Sequence, residues 1–253
     1  MSVTQSNSRI LLLQARAEPE MELQEQECFV ERCRIRPEQL ISVNVVRDNL
    51  HPGLLDDVQA FMIGGAGAFS ACNEYPWMEH ALNLIRAAAE RGMPTFGSCW
   101  GHQMIARAMG GRVEHDGSKA EMGCHHITLT EAGRKDPLFR GFPESFLANM
   151  GHHDRVTKLP PGAIELADNA SQPNQAFRLA HLPVYGTQFH SELDAKRERE
   201  RLLAYREHYL EDLPSEEAFQ EAVDSLRETT EVDHLLYDFL KLYVAGFAAS
   251  PAQ

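Results

Sequence analysis

Apolar residues enter this chain in short unbroken runs, separated by stretches in which they recur every third or fourth position. Ile10-Leu11-Leu12-Leu13 is a continuous apolar run of the kind that forms a strand buried on both faces. The charged, amphipathic stretch 18–33 follows it as a helix. In 40–46, Ser42 and Asn44 alternate with Ile41, Val43 and Val45, which predicts a second strand. A third is predicted over 58–63, ending at Gly64-Gly65-Ala66-Gly67, where glycine permits backbone geometry that a side chain would forbid. Next come a helix over 76–91 closed by Gly92, a short strand over 93–97, and a helix over 100–109 terminated by Gly110-Gly111. This alternation predicts an α/β layer fold built around a mainly parallel sheet.

Beyond Gly111 the pattern shortens to β-like segments at 127–130, 145–150, 164–167, 176–179 and 184–189, expected to extend the sheet. From Asp194 the run Lys196-Arg197-Glu198-Arg199-Glu200-Arg201 leads into Leu202, Leu203, Tyr205 and Tyr209, a charged helix with one apolar face. Pro214-Ser215-Glu216-Glu217 has the form of a helix start, and a last apolar helix is predicted from about Val232 to Phe247. The expected organisation is a polar leader (1–8), one α/β domain (9–193) and a helical C-terminal extension (194–253) packed on the same domain. The extension reads first as a packing layer and second as a partner interface.

Charge narrows the partners. Thirty-seven acidic against 24 basic side chains give a net charge of −13, and no lysine/arginine-rich face is evident, so neither nucleic acid nor a membrane surface is expected. No apolar run approaches the ~18 residues of a membrane span. The polar start lacks a secretory signal, so a cytoplasmic location is expected. Five cysteines without a CxxC pair argue against a disulfide framework and a structural zinc site. The pairs His125-His126 and His152-His153 read as surface or loop residues, because neighbours on a strand face opposite ways and make a poor metal clamp. No metal and no cofactor are expected.

Candidate chemistry centres on Gly97-Ser98-Cys99-Trp100-Gly101, which joins an apolar strand to a helix and so sets Cys99 on a tight turn of nucleophile-elbow type. A helix N-terminus there favours thiolate over thiol. A nucleophilic cysteine needs a base, and the base needs an orienting group. His190 and Glu192, at the end of a predicted strand, would project to one side and meet that need. The bland alternatives are an inert buried cysteine and a satisfied His-x-Glu pair. The glycine turn could aim the N–H of Gly65 at a developing oxyanion, with the N–H of Trp100 as second donor. It could instead cradle a phosphate, although GxGxxG and GK[ST] patterns are absent.

In these segments the chain resembles class I glutamine amidotransferases, a family with a Cys-His-Glu triad on a flavodoxin-like sheet, which implies a flavodoxin-like three-layer sandwich with a mainly parallel sheet. The resemblance covers most of 9–192. It rests on Met62-Ile63-Gly64-Gly65-Ala66-Gly67, Gly97-Ser98-Cys99-Trp100-Gly101-His102-Gln103, Met109-Gly110-Gly111-Arg112-Val113, Glu121-Met122-Gly123 and Tyr185-Gly186-Thr187-Gln188-Phe189-His190-Ser191-Glu192. Their order and spacing are similar to those of the glutaminase domain of GMP synthetase and its stand-alone relatives. The resemblance implies that Cys99 attacks a glutamine side-chain amide, His190 shuttles protons and Glu192 orients it. It further implies Gly65 and Trp100 as the oxyanion pair, and Gln103, Gly64 and Asp154 beside bound glutamine. Ser191 stands where the family usually has proline, Ala66 and Ala68 replace a common proline and serine, and His152-His153 is unusual.

The activity these residues imply is cleavage of the γ-carboxamide of glutamine through a Cys99 thioester, releasing glutamate and ammonia. The stretch after Glu192 is too short for a synthetase domain, so a nitrogen acceptor would sit on a separate synthetase chain. A stand-alone hydrolase of γ-glutamyl conjugates or peptides is the second expectation, and a non-catalytic regulatory homologue the third.

Overall fold

The two faces of one strand explain the layering of the molecule. In the computed structural model, which describes residues 8–248, β1 (Ile10–Ala15) sends Leu11 and Leu13 into one core while Ile10 and Leu12 enter another. The continuous apolar run is thus satisfied by a layer on each side of the sheet. After α1 (Pro19–Cys33) come β2 (Leu40–Asn44), β3 (Ala60–Ala66), α2 (Met78–Glu90), β4 (Thr95–Ser98) and α3 (Trp100–Ala108). Next are β5 (Arg112–His115), β6 (Glu121–Leu129), α4 (Glu131–Lys135), β7 (Ser145–His152), β8 (Asp154–Lys158), β9 (Ala163–Asp168), β10 (Ala176–Leu179) and β11 (Val184–Thr187). Four helices complete the described chain: α5 (Ala195–Ala204), α6 (Arg206–Leu210), α7 (Glu216–Ser225) and α8 (Leu235–Tyr243). Apart from Ser8, the polar leader lies outside the described residues.

The main sheet has the order β2-β1-β3-β4-β11-β10-β9-β6-β7. Its first five strands pair in parallel, and the remainder continue antiparallel. The parallel half places the C-terminal ends of β3, β4 and β11 side by side, the edge at which α/β sheets collect ligands. α2 and α3 cover one face through Leu84, Ile85, Met104 and Ile105, while Phe29 of α1 and Phe239 of α8 fill the other. No helix among the described residues is long and apolar enough to cross a membrane.

Several boundaries differ from the sequence reading. β3 runs through Gly64 and Gly65 to Ala66 instead of stopping at Ile63, because parallel pairing with β1 continues to Ala15–Ala66 after a bulge. β6 starts at Glu121, well before the expected Ile127, since β7 pairs along its whole length. The polar two-stranded sheet β5–β8 carries no apolar alternation and was not predicted. α8 is no loose appendage. Phe239 is fully buried, with ring centroids 5.4 Å from Phe96 and 5.8 Å from Tyr185.

Glu121 ties the antiparallel half together. Its buried carboxylate accepts from Asn169 and Gln175, each at 2.6 Å, and from Gln172, and it faces His152 Nε2 at 3.3 Å. Burial alone would raise its pKa, but His152, Gln172 and Asn169 bring it down to about 2.

Truncating Phe239 to alanine should therefore destabilise the protein by about 3–5 kcal/mol in denaturant unfolding, through the cavity left beneath Phe96 and Tyr185. A carboxylate whose folded pKa lies below its ordinary 4.5 adds stability above that pH and loses it as pH falls towards about 2. Glu121→Gln should consequently lower stability at pH 7 and narrow the gap to wild type at pH 3, as read by unfolding at the two pH values.

Candidate active site

The turn between β4 and α3 forces Cys99 into the left-handed region, with φ 51° and ψ −103°. A non-glycine residue there stores about 1–3 kcal/mol of strain, which the surrounding packing must hold in place. Small neighbours explain how it is held. A Cβ on Gly97 would lie 2.4 Å from the Gly101 carbonyl carbon, and one on Gly101 would lie 2.3 Å from the Ile63 oxygen. Strand, turn and helix therefore close to backbone contact, and the Cys99 sulfur stands above the sheet edge. It approaches the Gly151 carbonyl oxygen at 3.8 Å and receives the Gln188 amide at 3.7 Å.

His190 lies just past β11, near enough to Cys99 for the thiol to bear on its charge. Its Nδ1 is 2.9 Å from Glu192 Oε1. The expected alternation along a strand is not the cause, because β11 ends at Thr187. A turn holds the pair instead, with Thr187 Oγ1 donating to the Phe189 carbonyl at 2.9 Å and lying 3.2 Å from the Ser191 hydroxyl that stands in place of the family's proline. Glu192 is fully buried, with Ser98 donating to Oε2 at 2.5 Å and Arg201 to Oε1 at 3.0 Å. Burial opposes its charge, yet His190, Arg201 and Ser98 hold the carboxyl far below the usual range. Burial likewise opposes charge on His190, but Glu198, Glu192 and Cys99 outweigh it and raise the imidazole pKa well above its ordinary value.

The remaining predicted residues divide. Trp100 opens α3, so its N–H is one of the first-turn donors that an α-helix leaves without an intrahelical acceptor. The Gly65 N–H donates to Glu25 Oε1 at 3.0 Å, and Gly64 lies under the same carboxylate, so neither is among the residues lining the cavity. Gln103 does line it, held by bonds from its amide to the Asp154 carbonyl at 2.7 Å and to Gln188 at 3.2 Å. Asp154 also lines it, but its carboxylate is engaged by Ser70 at 2.6 Å, the Ala71 N–H at 2.8 Å and His115 at 3.1 Å. Asp154 thereby shapes the wall more than it offers a free acceptor. His152, expected near the surface, is buried between the Asp154 carbonyl and Glu121.

Cys99 opens into a cavity of about 440 Å³ whose walls include Phe69, Gln103, His153, Tyr209 and Asp212. That is room for a small molecule. Among the described residues no group of three or more His, Cys, Asp or Glu side chains is arranged to hold a metal ion.

Sequence reasoning missed four residues here. Arg16 and Glu25 form a buried pair at 2.8 Å, and Arg201 reaches both Glu25, at 3.6 Å, and Glu192. Tyr209 donates to the Gly151 carbonyl at 3.3 Å, and its ring stacks on His153 at 5.0 Å. Their one sequence signal was an excess of charge on segments predicted to pack against the sheet.

Comparison with known proteins places this geometry. Residues 33–207 match the family model "Glutamine amidotransferase class-I". The chain is 37% identical over 139 residues to a glutamine-hydrolyzing GMP synthase subunit of Pyrococcus abyssi, covering 55% of this chain and 71% of that protein. It is also 37% identical over 115 residues to the glutamine-hydrolyzing GMP synthase of Lactobacillus delbrueckii subsp. bulgaricus, covering 46% of this chain but spanning only 22% of that protein. A solved glutamine amido transferase from Methylobacillus flagellatus shares the fold, with a TM-score of 0.76, 24% identity and 98% of each chain covered. This chain belongs to the class I glutamine amidotransferase family.

Proposed function

We propose that this protein hydrolyses the γ-carboxamide of glutamine, with Cys99 as nucleophile, His190 as proton carrier and Glu192 as the group that orients it. The observation that carries the reading is the assembly of the strained Cys99 turn beside His190 with the 2.9 Å His190–Glu192 contact at one sheet edge. In acylation Cys99 gives its proton to His190 as the sulfur attacks the amide carbon, and the resulting oxyanion accepts a hydrogen bond from the Trp100 N–H. The Gly65 N–H joins it only by leaving Glu25. The C–N bond then breaks as His190 passes its proton to the departing nitrogen, and ammonia leaves a γ-glutamyl thioester. Water next gives a proton to His190 while its oxygen attacks the thioester. Glutamate leaves, and Cys99 is regenerated. Gln103, on the cavity wall, would contact the amino-acid portion of the substrate, beside Asp154 on the same wall.

Two supports pull the biological setting in different directions. The Pyrococcus abyssi relative is named as one subunit of a synthase, which favours ammonia delivery to a separate synthetase chain. Against this, His208, Tyr209, Glu211 and Asp212 of the chain's own C-terminal region line the cavity. That lining favours a self-contained hydrolase able to accept larger γ-glutamyl amides. A non-catalytic role fits poorly with a fully assembled triad. The five free cysteines suit a reducing, cytoplasmic setting.

The purified chain should release glutamate and ammonia from glutamine or from a γ-glutamyl anilide without any added protein, and Cys99→Ala should reduce the rate at least 10³-fold with unchanged thermal unfolding. Equal turnover by the variant would overturn the assignment. Because the folded pKa of His190 is raised, its charge is present below the ordinary imidazole range and persists as pH rises, until pH passes the folded value. Activity should accordingly hold across neutral pH and fall only on the alkaline side, which a pH–rate profile of kcat/KM measures.

A further inference from the structure

The triad histidine has carboxylates on two sides. Glu192 takes Nδ1, and Glu198 of α5 stands 4.0 Å from Nε2, the same nitrogen that must serve Cys99. Glu198 is 1% exposed, and its Oε2 has no hydrogen-bond partner among the described residues. A buried carboxylate oxygen left unpaired is costly and calls for a reason. The fold makes room for it, since a Cβ on Gly151 would come within 3.1 Å of Glu198 Oε1 and 2.9 Å of the Tyr209 hydroxyl. Gly151 is also the residue whose carbonyl meets the Cys99 sulfur.

Charge counting indicates when this carboxylate would act. In the resting site Arg16 and Arg201 balance Glu25 and Glu192, and passage of a proton from Cys99 to His190 leaves that pair neutral overall. Glu198 is then surplus, and burial pushes its carboxyl up towards the neutral form even though His190 and Arg201 draw it down. The balance changes once the sulfur is bound up as a neutral thioester. When water gives its proton to His190 in the second half of the reaction, the imidazolium forms with no thiolate beside it. Its facing groups are then Glu192 from the turn after β11, Glu198 and Arg201 from α5 and Arg16 from just past β1, with the Tyr209 hydroxyl of α6 beside Glu198 at Gly151.

We propose that Glu198 is a positioning residue for the hydrolytic half-reaction, a second anion that holds His190 at Nε2 and stabilises its cation while Cys99 is acylated. This rests on the thioester reading above. The proton balance is closed, because water loses one proton to His190, its oxygen forms the new C–O bond, and the C–S bond breaks to restore the thiolate that then takes over from Glu198. The C-terminal extension therefore supplies part of the catalytic apparatus.

Two measurements test this. In the first, the His190 ring nitrogens are titrated by NMR in Cys99→Ala and in Cys99→Ala/Glu198→Gln, where the removed sulfur stands in for its uncharged state. The double variant should lose the His190 proton about one pH unit or more below the single variant. An unchanged titration overturns the proposal, whether or not the protein turns over glutamine. In the second, Glu198→Gln is compared with wild type on a γ-glutamyl anilide. The expected result is kcat lower by about tenfold with KM lower in parallel, kcat/KM within about twofold, and a γ-glutamyl adduct on Cys99 seen by intact mass. A loss of kcat/KM with no adduct marks a merely structural residue and overturns the proposal, as does wild-type kcat in the variant. Silence of wild type itself would count against the thioester reading, and the titration would still decide the role of Glu198.

Discussion

A fully buried carboxylate organises this molecule. Glu192 has no access to water, and an ion in that position is tolerable only when its neighbours replace the lost hydration. Three do so, from three separate parts of the chain: His190 from its own turn, Ser98 from the end of β4 and Arg201 from α5. Removing any one would leave charge unpaired in a low-dielectric interior. The sheet edge, the nucleophile turn and the C-terminal extension are thereby tied to the position of one side chain.

The strain at Cys99 follows from the same arrangement. A left-handed cysteine survives because β4 is clamped between β3 and β11 while α3 is pressed to backbone contact with Ile63. Strand pairing and helix packing supply far more than the few kcal/mol the turn stores. The result is a sulfur held in one place, next to His190 and at the mouth of the cavity, before any substrate arrives. Such preorganisation is what makes charge stabilisation effective in a reacting site.

The extension links packing to chemistry. α8 fills one face of the sheet with Phe239 and Leu240, as any core helix would. α5 and α6 do something different. A Cβ on Gly67, in the turn after β3, would sit 2.0 Å from the Tyr205 ring, so the glycine turn and the extension have closed onto one another without room for a side chain. Through that contact Arg201, Glu198 and Tyr209 arrive beside Glu192, His190 and Gly151, and Asp212 meets His153 at the cavity rim. A segment that looks like covering is part of the wall.

Local pattern alone determined much of this protein. The apolar runs at Ile10–Ala15 and 58–63 could bury themselves only in a covered sheet, and the small residues around Cys99 admitted little but a strand–turn–helix elbow. The strand–turn–helix setting of Cys99, the proposed nucleophile, was legible from its small neighbours, whereas the contact of His190 with Glu192 comes from a turn beyond the end of β11. What tertiary structure decided concerns partners. The charges of α5 read equally well as a solvated helix face, since helical periodicity says which residues share a side but not what stands opposite. Glu198 and Arg201 came beside His190 and Glu192 only when α5 lay over β7 and α1. In the same way the Gly65 N–H, legible as an oxyanion donor, was claimed by Glu25 from a helix forty residues earlier. A hydrogen bond across such a separation is set by the folded path of the chain, and no local sequence signal carries it.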